Sequence, residues 1–177
     1  MSQIHLTTCI HAPADRVFDL SLSTSVHKAV LRSYRNGRLE SATEGTIGLH
    51  DKITFSLDFM GRRRVLVTRI ESMEPAREIT SLLAKGEGSF LSLRHDQYYR
   101  QIQNGMLLID MLEYEPAYGS VGRLADKLLV RKFLKKYLES KNRLIKQYAE
   151  GDKWKSVISA KEPREPRQTA PAQSNNV

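Results

Sequence analysis

Alternation of apolar and polar residues is clearest at residues 51–60. Apolar side chains occupy every second position there: Ile53, Phe55, Leu57 and Phe59. This period of two predicts a β-strand with one face on the core and one face in water. Similar runs ended by glycine, proline or asparagine predict further strands at residues 3–11, 34–41, 62–73 and 77–85.

Two more β-prone runs flank Gln103-Asn104-Gly105, a turn signal that predicts a β-hairpin. Pro116 ends the second run, and helical periodicity then continues to about Glu150. Pro13 lies where a short helix is expected to begin after the first strand, and a second short helix is predicted at Thr24–Leu31. The pattern therefore predicts an α+β, helix-grip fold, in which an antiparallel sheet wraps around a long C-terminal helix. The space between sheet and helix suits a small apolar ligand.

The hairpin turn also predicts which side chains share a face. With a short even-numbered turn, odd positions of the first strand lie beside even positions of the second. The less charged face, expected to be interior, is the following set: Leu91, Leu93, His95, Gln97 and Tyr99 with Met106, Leu108, Asp110, Leu112 and Tyr114. This places His95 and Asp110 among apolar neighbours, where each needs a partner or a shifted pKa.

The apolar stripe of the long helix changes phase along its length. Leu124 and Leu128 lie on one side of a straight helix, whereas Leu134 and Leu138 lie nearly opposite. This mismatch predicts a kink, or a break into two helices, between about Leu129 and Phe133. Residues 117–130 would then form a gate for the ligand.

Several segments resemble one superfamily: residues 12–20 (APADRVFDL), His27, Gly61 with Arg69-Ile70 and Pro75, the hairpin LRHDQYY…GMLLIDMLEYEPAYG, and GRLADKLLVRKFL at the helix start. Together they resemble the SRPBCC superfamily, which includes START lipid-transfer domains, Bet v 1-like plant proteins and polyketide cyclase/dehydrase-like proteins. The resemblance is strongest to its small bacterial ligand-binding members. It implies a START-like ligand-binding domain at residues 1–151. It does not choose between carrier, receptor and enzyme.

Composition adds bounds on class and location. The chain has 177 residues, a single-domain length, and 40% of them are hydrophobic, as in ordinary globular proteins. An N-terminal signal pattern is not expected, and the single cysteine fits a reducing compartment, so the prediction is a cytoplasmic protein. Residues 152–177 are polar and proline-rich, which predicts a disordered, basic C-terminal tail.

The formal net charge is +8, and many of the cations lie on the long helix. A basic helix face can attract nucleic acid or an anionic membrane surface. The more common cause is the solvated side of an amphipathic helix. Nucleic-acid or membrane association is therefore kept as an alternative to ligand binding.

Candidate chemistry centres on His95 and Asp110, with Tyr99 as a third candidate, in a cyclase- or dehydratase-type enzyme. The alternative is a buried pair that only satisfies the sheet interior or hydrogen-bonds a ligand. The predicted ligand-binding residues are Ile53, Phe55, Leu57, Phe59, Leu93, His95, Leu108, Asp110, Leu112, Leu124 and Leu128. Neither a metal site nor a cofactor is predicted, since ligand motifs such as HExxH do not occur.

Overall fold

The computed structural model describes residues 1–40, 44–59, 61–84, 90–116 and 123–158, without the side chains of residues 59, 62, 116 and 123–128. The elements in chain order are β1 (Ser2–Ile10), α1 (Ala14–Ser21), α2 (Thr24–Leu31), β2 (Arg38–Glu40), β3 (Lys52–Phe59), β4 (Arg62–Glu74), β5 (Glu78–Leu83), β6 (Phe90–Ile102), β7 (Gly105–Pro116), α3 (Arg123–Glu150) and α4 (Lys153–Ile158).

The strands form one antiparallel sheet in the order β1-β7-β6-β5-β4-β3-β2. The helix α3 packs against β1 and against α1 and α2. These are the predicted sheet, the two early helices and the long terminal helix, so the predicted helix-grip architecture is confirmed.

The predicted pairing of odd positions of β6 with even positions of β7 is also confirmed. His95 pairs with Leu112, Gln97 with Asp110 and Tyr99 with Leu108. Gly105 begins β7 with φ +147°, and a Cβ added there would lie 2.3 Å from the carbonyl oxygen of Ile10. A glycine is needed because this backbone conformation disfavours L side chains and β1 passes so close.

Leu91 is the exception to the predicted interior face, since it is 66% exposed. A β-bulge between Phe90 and Ser92 inserts one extra residue in β6 relative to β7. The alternation shifts by one position at a bulge, and Phe90 therefore takes the inward place.

The helix α3 runs without interruption from Arg123 to Glu150, so the predicted break between Leu129 and Phe133 is wrong. Its buried residues from position 130 onward keep one phase: Val130, Leu134, Leu138, Lys141, Asn142, Ile145 and Ala149. Leu129 is 39% exposed and does not require a second inward face. A bend within the continuous helix stays a prediction, and so does the gate, because residues 117–122 lie outside the described part.

The core consists of two apolar clusters along the sheet. The first lies under α1 and includes Ile10, Phe18, Tyr99, Leu108 and Ile145. The second lies nearer the other end of β1: Ile4, Leu93, Leu112, Tyr114, Val130, Leu134 and Leu138.

The chain continues past Gly151 into the short helix α4, where the sequence predicted a tail from residue 152. Trp154 packs partly against the first cluster, and the Arg16 guanidinium lies 4.2 Å from the centre of its ring. This contact holds α4 against α1. Residues 159–177 lie outside the described part.

Candidate functional site

A cavity of about 140 Å³ lies between the sheet and α3. Its wall is mostly apolar, with residues from α1, α2, β3, β4, β5, β6, β7 and α3. Polar side chains on the wall are Ser21, His27, Arg64, Thr68, Ser81, His95, Gln97, Tyr137 and Lys141. An apolar space with a few polar groups is the usual form of a small-molecule site.

Six of the predicted ligand-binding residues lie on this wall: Ile53, Phe55, Leu57, Leu93, His95 and Leu112. Leu108 belongs instead to the core cluster under α1, and Asp110 lies behind His95 and Lys141 with no exposed surface. The side chains of Phe59, Leu124 and Leu128 lie outside the described part. A binding role for any of these residues stays a prediction.

Asp110 accepts hydrogen bonds from side chains of β6 and α3, and it pairs with the charge of Lys141. His95 Nε2 donates to Oδ1 over 2.8 Å, and Gln97 Nε2 donates to the same oxygen over 3.0 Å. Asn142 Nδ2 donates to Oδ2 over 2.6 Å, and Lys141 Nζ lies 3.6 Å from Oδ1. One buried carboxylate therefore joins β6, β7 and α3 through charge-assisted contacts.

These polar groups form a layer between the two apolar clusters. On β7, Asp110 lies between Leu108 of the first cluster and Leu112 of the second. On α3, Lys141 and Asn142 lie between Leu138 of the second cluster and Ile145 of the first. The polar layer thus interrupts the core at the same level on strand and helix. The position of α3 along β7 is therefore fixed, because a helix shifted along the strand would leave a buried charge unpaired.

The layer's protonation states follow from burial and pairing. Burial alone would raise the pKa of Asp110, but Lys141, His95 and Asn142 outweigh it and hold that pKa below its usual value. Burial lowers the pKa of Lys141, although Asp110 acts in the opposite direction. Burial likewise lowers the pKa of His95 against the effect of Asp110. The result is a carboxylate facing a neutral imidazole and an ammonium.

His27 brings a second imidazole to the cavity from α2. Its Nε2 donates to the carbonyl oxygen of Ser21 over 3.0 Å, and its Nδ1 lies 3.5 Å from the Tyr137 hydroxyl. Burial, assisted by the charge of Lys141, lowers the pKa of His27 to about 3. This ring is therefore neutral at physiological pH.

Tyr99, the third predicted catalytic candidate, lies elsewhere. Its ring packs edge-on against Phe18 with 5.2 Å between ring centres, inside the core cluster under α1. It is not among the described residues that line the cavity. Burial also raises the pKa of its hydroxyl, which makes it a poor proton donor.

The sequence interpretation missed Lys141, Asn142 and His27 as parts of the site. A usable signal existed for Lys141, because it is seven positions after Leu134 and four before Ile145, in phase with the apolar stripe. A lysine inside such a stripe indicates a buried partner. For His27 we find no comparable signal in the sequence.

Within the described ranges, no group of three or more His, Cys, Asp or Glu side chains is placed to hold a metal ion. Among the described helices, none has the length and apolar composition that crossing a membrane requires.

Comparison with known proteins gives matches by structure. No protein-family model matches the chain, and no curated protein matches it in sequence. TTHA0849 from Thermus thermophilus is similar over 84% of this chain and 97% of its own, with 17% identity and a TM-score of 0.67. Zhui aromatase/cyclase from Streptomyces sp. R1128 is similar over 84% of this chain and 93% of its own, with 16% identity and a TM-score of 0.64.

A plant protein gives the same match at a lower score. Ginseng major latex-like protein 151 from Panax ginseng is similar over 84% of this chain and 97% of its own, with 17% identity and a TM-score of 0.57. At such low identity these likenesses concern the fold. The chain therefore has the helix-grip fold that these structural neighbours share.

Proposed function

We propose that the protein binds a small hydrophobic or amphipathic molecule in the cavity between the sheet and α3. The observation that carries this proposal is the cavity itself, an apolar space with a polar layer at one place on its wall. A dry cavity of about 150 Å³ holds a benzene molecule, so about 140 Å³ suits a ligand with one ring.

The basic face of α3 gives less support to nucleic-acid or membrane binding. Arg131 donates to the carbonyl oxygen of Gln3 over 3.0 Å, and Lys146 donates to that of Cys9 over 2.8 Å. Lys141 is buried beside Asp110. These three cations fasten the helix to β1 and β7, whereas Lys132, Lys135, Lys136 and Arg143 remain exposed on it.

Filling the cavity is the direct test of ligand binding. Ser81 lies on the cavity wall and pairs with His95 across β5 and β6. A phenylalanine at this position would place a ring where the ligand is expected. We expect the unaltered protein to bind toluene saturably and Ser81→Phe not to bind it, as measured by NMR titration of the Leu93 and Leu112 methyl groups.

The matched control is Leu82→Phe, which adds bulk at the next position of β5, on the opposite face of the sheet. It should bind toluene as the unaltered protein does. Mass spectrometry of an organic extract of the purified protein would identify a co-purifying ligand. Absence of toluene binding to the unaltered protein, or equal binding to Ser81→Phe, would contradict the proposal.

A cyclase-type enzyme is the second candidate, favoured by the 2.8 Å contact of His95 Nε2 with Asp110 at the cavity wall. An imidazole oriented by a carboxylate can act as a general base. One structural neighbour is named an aromatase/cyclase, which supports this candidate.

A simple substrate tests the enzymatic alternative. Heptane-2,6-dione closes by an intramolecular aldol reaction to a six-membered enone with loss of water, and its product has one ring. If His95 is the base, His95→Gln should lower the enzymatic rate about 100-fold and leave toluene affinity nearly unchanged. A rate that never exceeds the buffer reaction would exclude this activity for that substrate class.

A further inference from the structure

Two histidines on the cavity wall carry their proton on the same ring nitrogen. His27 Nε2 lies 3.0 Å from the carbonyl oxygen of Ser21, and His95 Nε2 lies 2.8 Å from Asp110 Oδ1. A carbonyl oxygen and an ionised carboxylate only accept hydrogen bonds, so Nε2 must be the donor in both contacts. Burial keeps both rings neutral. Each Nδ1 therefore has a lone pair and is an acceptor.

These two acceptors are weakly engaged by the protein. The Tyr137 hydroxyl lies 3.5 Å from His27 Nδ1, at the outer limit of a hydrogen bond. Within the described part of the chain, His95 Nδ1 has no hydrogen-bond partner, and His95 lines the cavity. An acceptor on an apolar wall is costly until a donor reaches it.

Lys141 supplies hydrogen-bond donors at the same end of the cavity. Its side chain also lines the wall, and its charge acts on both His27 and His95. The ammonium has three N–H donors, and its nitrogen lies 3.6 Å from Asp110 Oδ1. The wall therefore presents an acceptor nitrogen beside a donor ammonium.

A hydroxyl group matches this arrangement because it both donates and accepts. A carboxylate matches poorly: it has no proton for Nδ1, and Asp110 already balances the charge of Lys141. A hydrocarbon or an ether leaves the histidine acceptor without a donor.

We propose that the cavity selects ring-sized apolar molecules that carry a hydroxyl group, phenols among them. The hydroxyl donates to His95 Nδ1 and accepts from Lys141, while the ring lies against the apolar wall. This inference rests on the proposed ligand-binding function and adds the chemical class of the ligand.

A ligand series separates the two proposals. NMR titration of the Leu93 and Leu112 methyl groups would compare 4-methylphenol, 4-methylanisole, 4-methylbenzoate and toluene. We expect 4-methylphenol to bind about tenfold more tightly than toluene or 4-methylanisole, and 4-methylbenzoate to bind least. Toluene binding equal to that of 4-methylphenol would overturn the hydroxyl preference and leave the proposed function intact. Failure of all four to bind would overturn both.

Substitution assigns the preference to the histidine. His95→Phe should remove the advantage of 4-methylphenol over toluene, whereas His5→Phe, on exposed β1 surface, should retain it. Nitrogen-15 NMR of the unaltered protein tests the premise without a ligand or a variant. A proton on Nδ1 of His95 at neutral pH would overturn the proposal even if His95→Phe fails to fold.

Discussion

Replacing Asp110 with alanine is expected to lower the free energy of unfolding by about 3–5 kcal/mol, as measured by urea denaturation at neutral pH. The substitution removes the acceptor shared by His95, Gln97 and Asn142, and it leaves the Lys141 ammonium without its counterion. Each group remains buried, so water replaces the lost contacts poorly. The loss is large beside the 5–15 kcal/mol by which most domains are stable.

The matched control is Glu113→Ala on the same strand. Glu113 belongs to the outward face of β7, where Gln3 donates to it over 3.4 Å, and its loss should change stability by less than about 0.5 kcal/mol. The double variant Asp110→Leu with Lys141→Met should recover part of the stability, because it removes the unpaired ammonium while His95, Gln97 and Asn142 still lack their acceptor. Equal losses for the single and double variants would show that Lys141 and Asp110 do not interact.

Much of the fold could be predicted from local patterns. The turn at Gln103-Asn104-Gly105 specifies the hairpin register, and from that register the contact of His95 with Asp110 follows as a cross-strand neighbour relation. The bulge at Leu91 was not predictable in this way, because one extra residue reverses the alternation without an obvious local signal.

The helix α3 shows why the site was only half predictable. Helical phase places Lys141 in the apolar stripe, but its burial depends on Asp110, which is 31 positions away in the sequence. Helical periodicity indicates a face but not the partner that makes a charge tolerable there. The sequence likewise does not identify the partners of His27, which are the carbonyl of Ser21 and the distant Tyr137.

Acidification is expected to destabilise the protein well before its carboxylates are protonated. The pKa of His27 is lowered from 6.5 to about 3 in the folded protein, so the unfolded chain binds a proton that the folded chain excludes. Stability contributed by neutral His27 is fully present above pH 6.5 and is lost as pH falls toward 3. The slope approaches about 1.4 kcal/mol per pH unit for one such group. His95 adds to it, because burial lowers its pKa in the same direction.

Urea denaturation at intervals from pH 7.5 to 4.5, followed by circular dichroism, measures this slope above the range in which Asp110 itself would be protonated. His27→Gln retains a side-chain N–H that can reach the Ser21 carbonyl but removes the titrating ring. The slope of the unfolding free energy against pH should therefore decrease by the contribution of about one proton. The control His5→Gln, at an exposed position of β1, should follow the unaltered protein. An unchanged slope in His27→Gln would mean that this ring accepts a proton in the folded state. That result would leave the proposed hydroxyl preference intact, because its acceptor is Nδ1 of His95 rather than His27.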